Sequence, residues 1–256
     1  MSTVSTAGPT TIPAGRGLRR TALVAGLLYI ATFVFSIPAK FGLWEDVLNT
    51  PDFVTGGGSD GGVLWGALFE VFTGLAGVGT AVVLFSIARR HHARLGLGFL
   101  ASRLLEAAMI FVGVLAVLSV YTLRHESTGG DSDSLLATGR ALIAVHDWSF
   151  LFGPGLMSAI NALCLGTIMY RSRLVPRAIP TIGLIGAPIL LASDAATLFG
   201  AYDQVSAPSA LLAVPVAIWE FSLGVWMTVK GFRTAPSGTA VSPQPSATTP
   251  LTVAFD

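Results

Sequence analysis

Gly98-Phe-Leu-Ala-Ser-Arg-Leu-Leu-Glu-Ala-Ala-Met-Ile-Phe111 is an apolar run interrupted only by Ser102, Arg103 and Glu106. Residues three apart share a helix face, so Arg103 and Glu106 point the same way while the remaining faces stay apolar. A helix that is hydrophobic almost all round belongs in a bilayer or a deep core. The rest of the chain decides between the two. Of 256 residues, 52% are hydrophobic and 11% charged, against about a quarter charged in ordinary globular proteins.

A bilayer core about 30 Å thick takes about 20 apolar residues per helix. Six segments meet that need, at residues 21–41, 63–88, 97–123, 148–170, 178–200 and 210–232. The expected fold is therefore all-α, a polytopic membrane protein with a six-helix transmembrane bundle over residues 16–233. Residues 1–15 and 234–256 are rich in Ser, Thr, Pro and Gly without an apolar period, and are expected to be disordered tails.

Charge is sorted by side. Arg16, Arg19 and Arg20 precede the first segment, Arg89, Arg90 and Arg94 follow the second, Arg171, Arg173 and Arg177 follow the fourth, and Lys230 and Arg233 close the sixth. The opposite face carries Glu45, Asp46, Asp52, Asp60, Glu126, Asp131, Asp133, Asp147 and Asp203, with Lys40, Arg124 and Arg140 for basic company. The positive-inside rule then puts both termini in the cytoplasm, with the lipid bilayer as the principal partner. The first segment is longer than a signal-peptide core and Ile37-Pro-Ala39 is a poor cleavage site, so it is expected to stay as a span.

Between the first two segments, Gly56-Gly-Gly-Ser-Asp-Gly-Gly62 suggests a flexible tether and Trp44 a headgroup-level anchor. Leu135, Leu136, Leu142, Ile143 and Val145 suggest a short helix before the fourth span, capped by Ser132 or Asp133, which either lies on the outer surface or extends that span. Gly153-Pro154-Gly155, Pro188 and Pro215 are expected to bend their helices. No internal repeat is visible, which disfavours the inverted-repeat transporter folds.

Five charged residues lie inside spans: Glu70, Arg103, Glu106, Asp194 and Glu220. Each would cost about 2.5–3.5 kcal/mol if it faced lipid alone at a helix centre, so such groups turn to the bundle interior or to water. At 1.5 Å per residue, Glu106, Asn161 and Glu220 all come to lie about 14–15 Å deep, with Arg103 about one turn nearer the arginine-rich side. Gly66, Glu70, Thr73, Gly74, Gly77 and Ala81 form a small, polar stripe that invites close helix packing. Arg103 can neutralise one carboxylate, and the others must be protonated, hydrated or facing a cation. The expected binding cavity is lined by Glu70, Arg103, Glu106, Asn161 and Glu220, with His146, Asp147 and Asp194 towards its outer mouth. The Arg103–Glu106 pair reads equally well as a structural ion pair, and Asn161 as an interhelical hydrogen bond.

Other chemistries find little support. Cys164 is the single cysteine, so thiolate clusters and internal disulfides are excluded. His91 and His92 sit in a basic loop, and no paired-histidine spacing points to a metal. Neither a cofactor nor nucleic acid is indicated. The span serines lie in no Gly-x-Ser-x-Gly elbow, which leaves no nucleophile in view.

Arg20-Thr-Ala-Leu-Val-Ala-Gly-Leu-Leu-Tyr29, Gly79-Thr-Ala-Val-Val-Leu-Phe85, Ser102-Arg-Leu-Leu-Glu-Ala-Ala108, His146-Asp-Trp148, Tyr170-Arg-Ser-Arg-Leu-Val-Pro-Arg177 and Trp219-Glu220 with Lys230-Gly-Phe232 occur in order along the chain. In this the chain resembles a bacterial integral-membrane family, the domain of unknown function numbered 4386, over roughly residues 20–233. The resemblance implies a six-helix protein of the bacterial cell (inner) membrane and supplies no substrate, cofactor or catalytic residue. The leading expectation is a non-enzymatic protein whose cavity binds a proton, a cation or a small ligand, with transport as one use. Two alternatives remain open: a structural subunit acting through helix assembly, as a homo-oligomer or with another membrane subunit, and an intramembrane enzyme acting on lipid.

Overall fold

The computed structural model describes residues 14–126 and 131–233; the expected disordered tails lie outside the described residues except for Ala14 and Gly15, which begin the first helix. Helix α1 (Ala14–Pro38) runs on through a π-helical turn (Ala39–Leu43) to a short helix α2 (Glu45–Asn49). The rest comprises α3 (Val63–His91), α4 (Ala93–Glu126), α5 (Ser132–Phe150), α6 (Ser158–Ser172), α7 (Ala178–Leu198) and α8 (Ala207–Val229). Among the described residues there are no strands. Among the described residues, six helices are long and apolar enough to cross a membrane, Gly17–Leu43, Val63–His91, Ala93–Glu126, Ser132–Ser172, Ala178–Leu198 and Ala207–Val229. Helices suit a bilayer because each satisfies its backbone N–H and C=O groups within its own segment.

The helix that carries the fourth span reaches well beyond residue 148: α5 joins α6 through a π-helical stretch (Leu151–Met157) into one 41-residue helix that begins at Ser132. The short helix before the fourth span is thus its extension, and Asp131 caps it by accepting from the Asp133 amide at 3.4 Å. Gly153-Pro154-Gly155 lies in the π-helical stretch without ending the helix: Pro154 has no N–H to give, and Ser158 Oγ bonds back to the carbonyls of Pro154 (2.6 Å) and Gly155 (3.1 Å). Helices α7 and α8 likewise continue through Pro188 and Pro215.

The spanning helices form a closed ring in which α1 packs on α3, α3 on α4, α4 on α6, α6 on α7, α7 on α8, and α8 back on α1. Closure at α1–α8 rests on small residues. A Cβ on Gly26 would lie 2.6 Å from the Gly224 carbonyl oxygen, so the two backbones touch where any side chain would hold them apart. Arg19 completes the seam by donating to the last carbonyls of α8, at 3.2 Å to Met227, 2.8 Å to Thr228 and 3.2 Å to Val229. A guanidinium there satisfies orphan acceptors and complements the negative end of the helix dipole.

Two apolar clusters fill the ring. One, containing Phe99, Met169, Trp219 and Met227, lies toward the arginine-rich loops, and the other, containing Trp44, Phe53, Val63 and Val117, lies toward the acidic loops. On α4, Arg103 and Glu106 fall between Phe99 of the first and Val114 of the second. Outward faces carry Leu27, Trp65, Leu75 and Leu115, each more than half exposed, which is lipid-facing surface for a membrane-embedded protein. The α3 stripe is as expected: Gly66, Glu70, Thr73, Gly74, Gly77 and Ala81 are all buried, whereas Leu68, Phe72 and Val82 face out.

The glycine-rich connection does not behave as a tether. Arg124 reaches across from α4, and its Nη1 donates to the carbonyls of Phe53 (2.7 Å) and Gly57 (2.6 Å) while its Nη2 donates to those of Gly56 (3.3 Å) and Gly58 (3.1 Å). Asp60 pairs with the same guanidinium at 3.6 Å, and the Ser59 amide donates to Asp46 at 2.9 Å. Glycines suit this because Gly56 and Gly58 have φ of 117° and 63°, and bare backbone presents its carbonyls without obstruction. Replacing Arg124 by alanine is expected to make residues 53–60 a site of rapid limited proteolysis, whereas the wild-type loop resists cleavage. Equal resistance in the variant would show that the loop holds itself.

Candidate functional site

At mid-depth, Arg103 is 1% exposed and stands at the centre of a polar node built from five helices. Its Nη1 donates to Glu106 Oε2 at 2.9 Å on its own helix and to Glu220 Oε1 at 3.0 Å on α8. Its Nε donates to Thr80 Oγ1 on α3 at 3.2 Å, and its guanidinium carbon lies 5.0 Å from the centre of the Tyr29 ring on α1. Such an array suits guanidinium better than ammonium, because the planar group can serve two carboxylates and lie over an aromatic face at once.

Glu106 is braced from the other side. Asn161 on α6 donates from Nδ2 to Glu106 Oε2, and accepts at Oδ1 from Ser102 Oγ. Asn161 therefore has its amide oriented by a hydroxyl below and its donor committed to the carboxylate above. The sequence places these partners: Ser102 precedes Arg103, and α4 offers Ser102 toward α6 while turning Arg103 toward α1, α3 and α8. The node holds one guanidinium against two carboxylates, which leaves a formal negative charge in surplus.

Above the node opens a cavity of about 690 Å³, bounded by α1, α3, α4, the π-helical stretch, α7 and α8. Arg103, Glu106 and Glu220 form its polar floor, and Asp194 and Lys40 add charge to its walls. The Lys40 Nζ lies 3.0 Å from the centre of the Phe150 ring, a cation–π contact made possible by the π-helical turn after Pro38. Otherwise the walls are mainly apolar, as in many small-molecule sites.

Of the expected cavity set, Arg103, Glu106 and Glu220 come together and line one space, while Asn161 lies beneath them and supports Glu106. Glu70 does not join them. It lines a separate pocket of about 20 Å³ with Lys40, Trp44, His146 and Phe150, and the Lys40–Phe150 pair divides the two spaces. His146 is not an open mouth either: it is 3% exposed and packs edge-on against Trp44, leaving Asp147 as the exposed neighbour. Trp44, expected as a headgroup anchor, is buried and donates from Nε1 to the Val63 carbonyl at 3.0 Å. Asp194 sits deeper than a mouth residue would, at 9% exposure in the cavity wall, and its Oδ2 has no hydrogen-bond partner among the described residues.

Sequence reasoning missed Tyr29, Thr80 and Lys40. Thr80 carried a usable signal, since it follows Gly77 by one turn on the small-residue face of α3. Tyr29 had none beyond being the one hydroxylated aromatic in an apolar run. Lys40 was counted with the outer loop because a π-helical turn, which carries it back over Phe150, leaves no mark in hydropathy.

A family model described as "Domain of unknown function (DUF4386)" matches residues 24–231, which agrees with the resemblance carried by the motifs from Arg20 to Phe232. No curated protein and no solved structure matches the chain.

Proposed function

This chain belongs to the family described as domain of unknown function 4386, and from its own residues we propose that it is a bacterial inner-membrane protein in which Glu106 and Glu220 hold one exchangeable monovalent cation, foremost a proton, beside Arg103. The arginine-rich connections mark the cytoplasmic side and with it both termini. The observation that carries the reading is the sharing of one Arg103 nitrogen by two carboxylates from different helices, at 2.9 and 3.0 Å. Two largely enclosed anions against one cation, with side chains only 12 and 13% exposed, are strongly disfavoured unless something neutralises the surplus. A purely structural node would be balanced by a single carboxylate.

The arrangement favours binding over bond-making chemistry. Neither hydroxyl at the node is free to attack: Thr80 Oγ1 accepts from Arg103 and donates to the Gly77 carbonyl (2.7 Å), and Ser102 Oγ shares its one hydrogen among Asn161 Oδ1 and the carbonyls of Gly98 (2.8 Å) and Phe99 (3.2 Å), with no base beside it.

Infrared difference spectra of the purified protein, taken between alkaline and acidic buffer, test this. The wild type is expected to gain a buried carboxylic C=O band on acidification that is missing from both Glu106→Gln and Glu220→Gln, because either change leaves one carboxylate for one guanidinium. A band unchanged in both variants, or no such band in the wild type, would make the node a packing device and leave the chain as an assembly subunit.

A further inference from the structure

A cavity of about 690 Å³ is far larger than a proton requires. Its shape says what else it admits. Helices α1 and α8 touch along their arginine-side halves, from Arg19 and Val229 up to the edge-on pair Phe33–Phe221, whose ring centres are 5.5 Å apart. Beyond that pair both helices line the cavity instead. Ile37, Phe41, Val205 and Val214 line it as well, and they are 53, 68, 69 and 43% exposed. An opening rimmed by apolar side chains on a lipid-facing surface leads to acyl chains, since a mouth onto water would set its large hydrophobic groups elsewhere.

Charges inside the cavity select the head of the occupant. Arg103 is engaged by Glu106 and Glu220, and Lys40 is seated on Phe150. Asp194 alone is uncommitted, with Oδ2 buried and unpartnered. The chain keeps space for this carboxylate: a Cβ on Gly155 would lie 2.9 Å from Asp194 Oδ2 and 3.0 Å from Oδ1, so only glycine in the π-helical stretch leaves room for the acid in the cavity wall. A carboxylate without a donor in an apolar wall is costly, and a ligand donor to the group as a whole would relieve that cost.

We propose that this cavity binds a lipophilic amine, a cationic nitrogen bearing N–H on an apolar chain, which enters from the acidic-loop leaflet between α1 and α8 and donates to Asp194. The apolar body lies against Phe33, Ile37, Ala213 and Val214, and the nitrogen meets the one free carboxylate. A fatty acid would bring an anion to Asp194, and a long-chain alcohol would leave the carboxylate charge unmatched. The site is distinct from the shared cation at Glu106 and Glu220 and does not depend on it.

Equilibrium binding of radiolabelled dodecylamine to the full-length protein in phosphatidylcholine nanodiscs, with empty nanodiscs subtracted, tests the proposal. Saturable binding is expected for the wild type, weakened at least about tenfold in Asp194→Asn, as loss of a charge-assisted hydrogen bond implies, and similarly in Ile37→Trp, which blocks the entrance from outside. Ile37 is an exposed rim residue, so this second variant leaves the packed interior untouched and decides the matter if Asp194→Asn fails to fold. Dodecanoate and dodecanol are expected to show no saturable binding. An affinity for either that equals the amine's, undiminished amine binding in both variants, or no amine binding to the wild type overturns the proposal. Competition by phosphatidylethanolamine added to the nanodisc would identify the ligand as a membrane lipid, and its absence a free amine, each with the head chemistry proposed. Neither variant alters Glu106 or Glu220, so failure here leaves the carboxyl-band experiment unaffected, and the reverse holds too.

Discussion

Arg103→Met is expected to destabilise the protein by about 3–5 kcal/mol, the range for removing one partner of a buried ion pair. Methionine fills much of the same volume, so packing is not the main loss. What remains is a pair of carboxylates that met on a single nitrogen, Glu106 Oε2 at 2.9 Å and Glu220 Oε1 at 3.0 Å, now without a cation. The Thr80 hydroxyl and the Tyr29 ring lose their partner as well. Denaturant titration in mixed micelles, or thermal unfolding in one detergent, reads the change directly. A loss below about 1 kcal/mol would mean that the carboxylates are already neutral, or are held by other groups.

The compensating experiment separates charge from shape. The sequence motif suggests replacing Arg103 and Glu106 together, by methionine and leucine, as though they were an isolated pair. Tertiary structure adds a third member: the double variant strands Glu220 on α8, so it is expected to recover only part of the stability. Arg103→Met with Glu106→Gln and Glu220→Gln removes every charge of the node and is expected to return most of it, because complete replacement of a buried ionic network by neutral groups is often close to neutral. That triple variant should also lack the acid-induced carboxyl band. Stability restored with the band lost would assign the charges to function.

Trp219→Ala is expected to cost about 3 kcal/mol or more, from the cavity it leaves. Trp219 is 1% exposed and belongs to the cluster that joins α8 to α7. Its indole covers Gly183 so closely that a Cβ there would lie 2.6 Å from the ring. In a bilayer the unfolded reference is itself apolar, so the loss is one of dispersion contacts and not of hydrophobic transfer. Thermal unfolding checks the size of the effect. Adding Gly183→Leu to the alanine variant is expected to refill part of the void and regain stability, although leucine at that position in the wild type would collide with the indole. An alanine variant as stable as the parent would show that α7 and α8 close over the gap.

Position along a helix axis is written in the sequence, because depth grows by a fixed rise per residue. That is why six spans, the buried stripe of α3, and the common level of Glu106, Asn161 and Glu220 were all legible, and why Asn161 is found bonded to Glu106 and Glu220 within reach of the same arginine. Angle around the bundle is not written there. Which helix lies beside which depends on the fit of small residues such as Gly26 and Gly224, and on irregular turns that rotate everything beyond them. Tertiary structure alone therefore decided that Glu70 is walled off behind Lys40 and Phe150, that His146 is covered by Trp44, and that Arg124 gathers a glycine loop onto itself. It also left Asp194 facing an apolar cavity with no partner. Hydropathy set how deep each charged group lies, and close packing between helices chose its neighbours.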